Sequence, residues 1–340
     1  MEKLFIISNE SIFNHEGSFY CDNIEIKSTP EGLNNKFEVH LIGRTSKKIR
    51  SHKINLNKIK IYSNLISYVF GIFNSLRAQN AKYLVVTITP FTFLACVIIN
   101  IFKKKPIVYL ISDGYKQYKI ILGFFGLSAY HLMFSLVSKI SILIGCREHL
   151  LRNKKGETVA PSQISSQWLT NRSEGEINKI KLLYVGRIRK EKGVFSLLEL
   201  IKDNKSNLSL SILGAEKNSS NPIVQENVHI HELETNEKNL IKFYDEHSIF
   251  VLPSYTEGHP MALLESLSRL RPIIIFKEIE HVIGNKKGIF IAERNSHSLI
   301  KTINHIKENY KNIHQDMKEN TLPTKEQFLK NFSKIISSTD

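Results

Sequence analysis

Cysteine is scarce in this chain. Cys21, Cys96 and Cys146 are scattered and odd in number, and no C-x-x-C pair occurs. The pattern suggests neither a zinc site nor a disulfide framework and fits reduced cytosolic thiols. The N-terminus, MEKLFIISNE, lacks the charged, apolar and cleavage regions of a signal peptide. A cytoplasmic location is therefore expected. Internal repeats and low-complexity tracts are absent. Acidic residues are thin in one half only. Residues 1–170 hold 22 Lys and Arg against 10 Asp and Glu, while 171–340 hold 25 against 22. The first half thus carries nearly all of the formal net charge of +15. Such a surface is either simply solvated or faces an anionic partner: phosphates, an acidic membrane or nucleic acid. No aromatic-interleaved basic patch or known reading module is present, so nucleic acid is not expected.

Long uncharged runs are also few. Residues 83–102 and 120–138 are uncharged and near the length that spans a bilayer. The first breaks at Pro90 into a strand, YLVVTIT, and a helix, FTFLACVIINIF. The second contains Gly123, Gly126, Ser128 and His131 and reads as one buried or surface-lying helix.

With 340 residues, 42% of them apolar and 23% charged, the chain is long enough for two globular domains. Short β-branched runs alternate with helical patterns throughout. KLFIIS (3–8), FEVHLIG (37–43), YLVVTI (83–88), PIVYLIS (106–112) and SILIGC (141–146) read as strands between helices. The polar stretch TNRSEGEINK (170–179) reads as a linker. Alternation then restarts with IKLLYVG (180–186), LSLSILG (208–214), VHIHEL (228–233), IFVLPS (249–254) and IIIF (273–276). This is the signature of parallel βαβ units. The expected fold is α/β, two doubly wound Rossmann-like parallel-sheet domains facing a cleft. They cover 1–170 and 180–322, and 323–340 forms a terminal helix crossing back to the first. Ligands of such sheets bind beyond the carboxyl ends of the strands.

Two clusters sit at such ends. LLYVGRIRKEKG (182–193) leaves a strand at Gly186, places Arg187 and Lys192 in a loop, and enters a helix after Gly193. Glycines, a helix N-terminus and two cations suit a diphosphate. A solvated basic loop would look the same. IFVLPSYTEGHPMALLESLSRLRPIIIF (249–276) places Glu257 in a loop, Pro260 at the first turn of a helix, and Glu265 about two turns in, beside Leu263, Leu264 and Leu267. A carboxylate there suits paired ribose hydroxyls. The plain alternative makes Glu257 a capping acid and Glu265 a surface residue.

VLPSYTEGHPMALLESL resembles the E-x7-E segment of retaining GT-B glycosyltransferases, especially glycosyltransferase family 4. LLYVGRIRKEKG resembles that family's G-R…K-G loop, and SILGA (211–215) its short glycine turn. The resemblance is specific over about 180–295. It implies a nucleotide-sugar donor with its diphosphate on Arg187 and Lys192 and its ribose on Glu265. Glu257 and the backbone of Gly258, His259, Pro260 and Met261 would hold the transferred sugar. Gly186 and Gly214 would admit the donor, and Gly17 would be a relic of the first-domain glycine loop. Glu257, Arg187 and Lys192 would be catalytic. Neither a cofactor nor a metal is implied, in agreement with the lack of a D-x-D run.

There are departures. Leu270 and Arg271 stand where the family's helix ends near a glycine, and Asp113 with Gly114 where relatives often carry a His. Asp113 is an acceptor-side candidate or merely a helix cap; His131 and His149 rank below it. The acceptor would be a saccharide or a lipid-linked saccharide of cell-surface polysaccharide or glycolipid synthesis. The basic first half, through Lys47, Lys48, Arg50, Lys53, Lys58, Lys60 and 103–105, would meet the inner face of the plasma membrane. Competing readings are a sugar-nucleotide epimerase or phosphorylase on the same fold, and a non-catalytic basic protein binding membrane or nucleic acid.

Overall fold

The computed structural model describes residues 1–203, 208–215 and 225–339. The chain forms two compact units: Met1–Pro161 with Lys325–Asp340 is unit 1, and Ser162–Thr324 is unit 2.

Unit 1 is a parallel sheet with helices on both faces. In chain order its strands are β1 (Lys3–His15), β2 (Ser18–Cys21), β3 (Glu38–Thr45), β4 (His52–Ile54), β5 (Ile59–Tyr62), β6 (Ala81–Val86), β7 (Ile107–Leu110), β8 (Ile142–Gly145) and β9 (Gly156–Thr158). The parallel order is β5-β3-β1-β6-β7-β8-β9. Every residue of β7 is buried, as a strand covered on both faces requires. Helix α1 (Ile24–Leu33) packs against the terminal helix Lys325–Ser338. The helices α2 (Leu65–Leu76), α3 (Pro90–Ile101) and α4 (Gly114–Ile140) pack in sequence against one another.

Gly17 is followed by a strand, not a helix. His15 faces Ser18 across Glu16 and Gly17, whose φ angles are 48° and 79°, so the pair forms the turn of a hairpin. The hairpin's β2 and β4 extend β1 with antiparallel pairing. A tight turn with two left-handed residues favours a glycine at the second.

The run 120–138 is not one helix either. Gly123 adopts φ 62° and ψ −140°, outside any helix, and α4 folds there into two arms. Tyr115 and Tyr118 on the first arm meet Tyr130 on the second, at ring distances of 4.8 and 5.2 Å. A Cβ on Gly126 would lie 2.2 Å from the Tyr118 carbonyl oxygen. The arms are therefore antiparallel and in close contact. By contrast, 83–102 divides as its Pro90 implied: Thr89 and Thr92 form a capping box with Pro90 in the first turn of α3.

Unit 2 opens with the short α5 (Ser166–Leu169). Its strands are β10 (Ile180–Val185), β11 (Leu208–Ala215), β12 (Val228–Glu232), β13 (Ile249–Leu252), β14 (Ile273–Phe276) and β15 (Ile289–Ala292). All pair in parallel, in the order β12-β11-β10-β13-β14-β15. The helices are α6 (Val194–Ile201), α7 (Glu237–Asp245), α8 (Met261–Ser268), α9 (Ser296–Glu308) and α10 (Tyr310–Met317). The terminal α11 (Lys325–Ser338) belongs to unit 1, where Phe332 lies 4.6 Å from the ring of Tyr109.

The polar stretch 170–179 is part of unit 2, and the units divide earlier, between Pro161 and Ser162. Two arginines account for the shift. Arg269 and Arg271 are each 1% exposed. Arg269 donates to the carbonyls of Trp168, Thr170 and Asn171, and Arg271 to that of Ser173. Asp245 takes Arg269 as a fork, at 2.9 and 2.8 Å. A segment anchored by guanidinium groups on its backbone shows no apolar period and so reads as a linker.

Candidate active site

In unit 2 the strand order reverses between β10 and β13, with β11 and β12 on one side and β14 and β15 on the other. Such a reversal opens a crevice at the carboxyl ends of the two central strands. The two sequence clusters follow these two strands. One is the loop 186–193 after β10, leading into α6; the other is the loop 253–260 after β13, leading into α8.

The loops are fastened to each other. The Tyr255 N–H donates to the Glu191 carbonyl at 3.0 Å. Gly193 has φ 68°, and a Cβ there would stand 1.9 Å from the Pro253 carbonyl oxygen. No other residue fits that contact without moving the second loop. Gly214, at the end of β11, is equally constrained, since its Cβ would lie 2.3 Å from the Gly186 carbonyl oxygen. The Tyr184 hydroxyl donates to the Arg187 carbonyl at 2.9 Å and fixes the loop's exit from β10.

The charged groups meet on this platform. Lys192 Nζ lies 2.7 Å from Glu257 Oε1, which also accepts from the Ser254 hydroxyl at 2.6 Å. Glu257 Oε2 has no hydrogen bond among the described residues. The Arg187 side chain is exposed and makes no hydrogen bond or ion pair among the described residues. A planar fork and a point charge are therefore present together, the first uncommitted.

Glu265 lies a little over one turn into α8, not two. Its Oε2 accepts from the Tyr244 hydroxyl at 2.8 Å, and its Oε1 has no partner among the described residues. Burial pushes this carboxyl up to about 7, although the Tyr244 hydrogen bond pulls the other way. Burial and the nearby Glu265 in turn raise the Tyr244 phenol well above its usual value. Pro260 caps α8, Met261 is its first residue, and Gly258 and His259 complete the loop before it.

Arg294 escaped the sequence reading. It leaves the end of β15 and donates to the carbonyls of Pro253 at 3.0 Å and Ser254 at 3.4 Å. Its guanidinium also stacks over Tyr255 and Phe276, at 4.1 and 4.3 Å. It clamps the second loop from below. No local pattern in GIFIAERNS marks it, because its partners lie about forty residues earlier.

Gly17 and Asp113 lie in unit 1. Asp113 caps α4 by accepting from the Lys116 N–H at 3.3 Å, and it is ion-paired with Arg152 at 3.1 Å. Another carboxyl of unit 1 was missed. Glu25, in the first turn of α1, lines a recess with Ile6, Leu84, Val86 and Tyr109. Burial alone pushes it up to about 7. In sequence it reads as an ordinary first-turn acid.

Residues 168–322, nearly all of unit 2, match the family model of glycosyl transferases group 1. No curated protein sequence matches the chain. Solved structures resemble it over its whole length. Sucrose-phosphate synthase from Thermosynechococcus elongatus is 13% identical with a TM-score of 0.65, over 99% of this chain and 98% of that one. HepE from Anabaena, in complex with UDP and glucose, is 9% identical with a TM-score of 0.71, over 99% and 100%. Trehalose-6-phosphate synthase is 8% identical with a TM-score of 0.69, over 99% of each chain. At such identity the likeness is one of fold: two Rossmann-like parallel-sheet units of the GT-B type.

Proposed function

We propose that the protein is a retaining glycosyltransferase, moving a sugar from a nucleotide-sugar donor to a saccharide or lipid-linked saccharide of a cell-surface polysaccharide or glycolipid, without a divalent metal. One observation carries the reading. At the strand-order reversal of unit 2, the Lys192–Glu257 pair and an unengaged Arg187 side chain sit on two interlocked loops, and a half-satisfied Glu265 on the helix that follows the second. The match of this same segment to glycosyl transferases group 1 supports it. So do HepE, solved with UDP and glucose, and trehalose-6-phosphate synthase, studied for glycosyltransfer with retention.

The assigned roles follow from the free valences. Arg187 binds the donor diphosphate as a fork and Lys192 as a point charge. Glu257 Oε2 accepts from the transferred sugar beside the backbone of Gly258, His259, Pro260 and Met261. Glu265 Oε1 accepts from the ribose. When the bond between anomeric carbon and phosphate breaks, negative charge grows on the leaving diphosphate. The two cations, held by their loops beforehand, stabilise that charge without reorganising. The acceptor oxygen bonds to the anomeric carbon on the face the phosphate leaves, and its proton passes to the departing phosphate oxygen.

A thermal-shift series with UDP, GDP and ADP sugars tests the site. The cognate donor at 100 times its dissociation constant should stabilise the fold by about 2.7 kcal/mol. Arg187→Ala and Lys192→Ala should each lower kcat by roughly 10²–10³, while EDTA leaves it unchanged. The anomeric configuration of the product, read by NMR, tests retention. If no nucleotide sugar raises the melting temperature, the assignment fails. Donor turnover without an acceptor would instead favour an epimerase or phosphorylase.

A further inference from the structure

The hairpin of α4 ends in an unusual surface. Around Gly123 its tip presents Ile120, Ile121, Leu122, Phe124 and Phe125, all exposed, with Phe124 at 76% and Phe125 at 84%. Five large apolar side chains within six residues, all facing water, are costly, and such a patch marks a binding surface. The tip contributes nothing to the unit's packing. The large side chains of α4 that are fully buried, Tyr130, Met133, Phe134 and Val137, lie on the return arm, and Tyr115 and Tyr118 of the first arm pack against them.

The charge around the tip identifies what would cover it. Lys116 and Lys119, on the arm entering the tip, are exposed and unpaired among the described residues. Between Glu38 and Glu148 the sequence holds sixteen Lys and Arg and a single acid, Asp113. That acid is committed to Arg152. Apolar side chains at a tip, cations just behind them and a single acid in the long surrounding stretch of sequence match the layering of an anionic bilayer, acyl chains beneath phosphate headgroups.

We propose that 120–125 is a membrane anchor: the hairpin tip inserts shallowly into an anionic lipid surface, with Lys116 and Lys119 at the headgroups. It does not span. By length and composition 114–140 is the only described helix that could cross a bilayer. The break at Gly123 folds it back, and its return arm belongs to the core of unit 1. The anchor also differs from the lysine cluster read in the sequence, because Arg50 is paired with Asp22 and Lys58 with Glu38, and the Lys104 ammonium donates to the Ala78 carbonyl.

Vesicle flotation of the full chain, with no donor present, tests this independently of catalysis. The protein should float with phosphatidylcholine vesicles containing phosphatidylglycerol and stay behind with phosphatidylcholine alone. Lys116→Ala with Lys119→Ala should weaken partitioning by about 25-fold, from about fivefold per lysine. Phe124→Ser with Phe125→Ser should weaken it on the order of a hundredfold, with an unchanged melting temperature because both side chains are exposed. In Phe124→Trp, the new fluorophore should be quenched by brominated acyl chains, beyond any signal of the buried Trp168. Failure to float with anionic vesicles, or flotation unaffected by the paired Phe substitutions, would overturn the anchor. A concentration-dependent dimer that these substitutions disperse, without lipid binding, would assign the tip to a second copy of the chain instead.

Discussion

Glu265 sets a pH dependence that can be worked out from its surroundings. Its folded-state value is raised from an ordinary 4.5 to about 7 because burial penalises the charged form. A raised acid stabilises the fold below 4.5 relative to higher pH, and that contribution is lost as pH rises to about 7. In the proposed contact, ribose hydroxyls would donate to the carboxyl and favour its ionised form. Below pH 7 the donor must therefore expel a proton, and nucleotide affinity should fall by up to about tenfold per pH unit from 7 to 6. Calorimetric titration of the donor nucleotide at pH 6, 7 and 8 measures this. Glu265→Gln should flatten the profile and weaken binding throughout; an equally steep profile in the variant would remove Glu265 from the ribose. The placement of Glu257, Lys192 and Arg187 on adjoining loops was legible because each follows the end of a readable strand. Arg294 and Glu25 were not, since one acts through distant carbonyls and the other is unusual only in being buried.

At the scale of single elements, the exit of α8 shows how a departure from pattern is absorbed. Leu270 takes the left-handed conformation, φ 56°, that a glycine would adopt freely. The Arg271 N–H reaches the Ser266 carbonyl at 3.0 Å and the Leu270 N–H that of Leu267 at 3.1 Å, which is a Schellman closure. A leucine in this conformation costs roughly 1–2 kcal/mol. Leu270 is also 1% exposed, and removing a buried leucine side chain costs about 2–5 kcal/mol. Burial wins, so Leu270→Gly should destabilise by roughly 1–3 kcal/mol in urea denaturation, even though glycine suits the backbone better. A stabilised variant would show that strain dominates. The strands were legible because a parallel sheet makes them apolar on both faces. The hairpin within α4 was hidden because a glycine in an apolar run looks the same whether a helix continues through it or folds back. The segment 170–179 misled for the opposite reason: Arg269 and Arg271 hold it without any apolar face.

For the molecule as a whole, each unit has its own core, and Phe328, Phe332 and Ile336 of α11 belong to that of unit 1. Cutting the chain after Thr324 should leave the packing of unit 2 intact and remove three buried side chains from unit 1, a loss of about 5–9 kcal/mol. Calorimetry should then show unit 2 melting as before and unit 1 melting far lower or not at all. A single transition at the original temperature would mean that α11 adds nothing to unit 1. The two doubly wound sheets were readable from alternation alone, whereas the ownership of α11 depends on a contact between Tyr109 and Phe332 that spans most of the chain.

Because unit 2 lies within the sequence of unit 1, the order of synthesis and the order of completion differ. On the ribosome the first sheet emerges early but must wait for all of the second unit before its last helix arrives. At 5–20 residues per second that wait is roughly ten to thirty seconds. During it the greasy trough beside Tyr109 stays uncovered on the nascent chain while the later-made unit is already free to close.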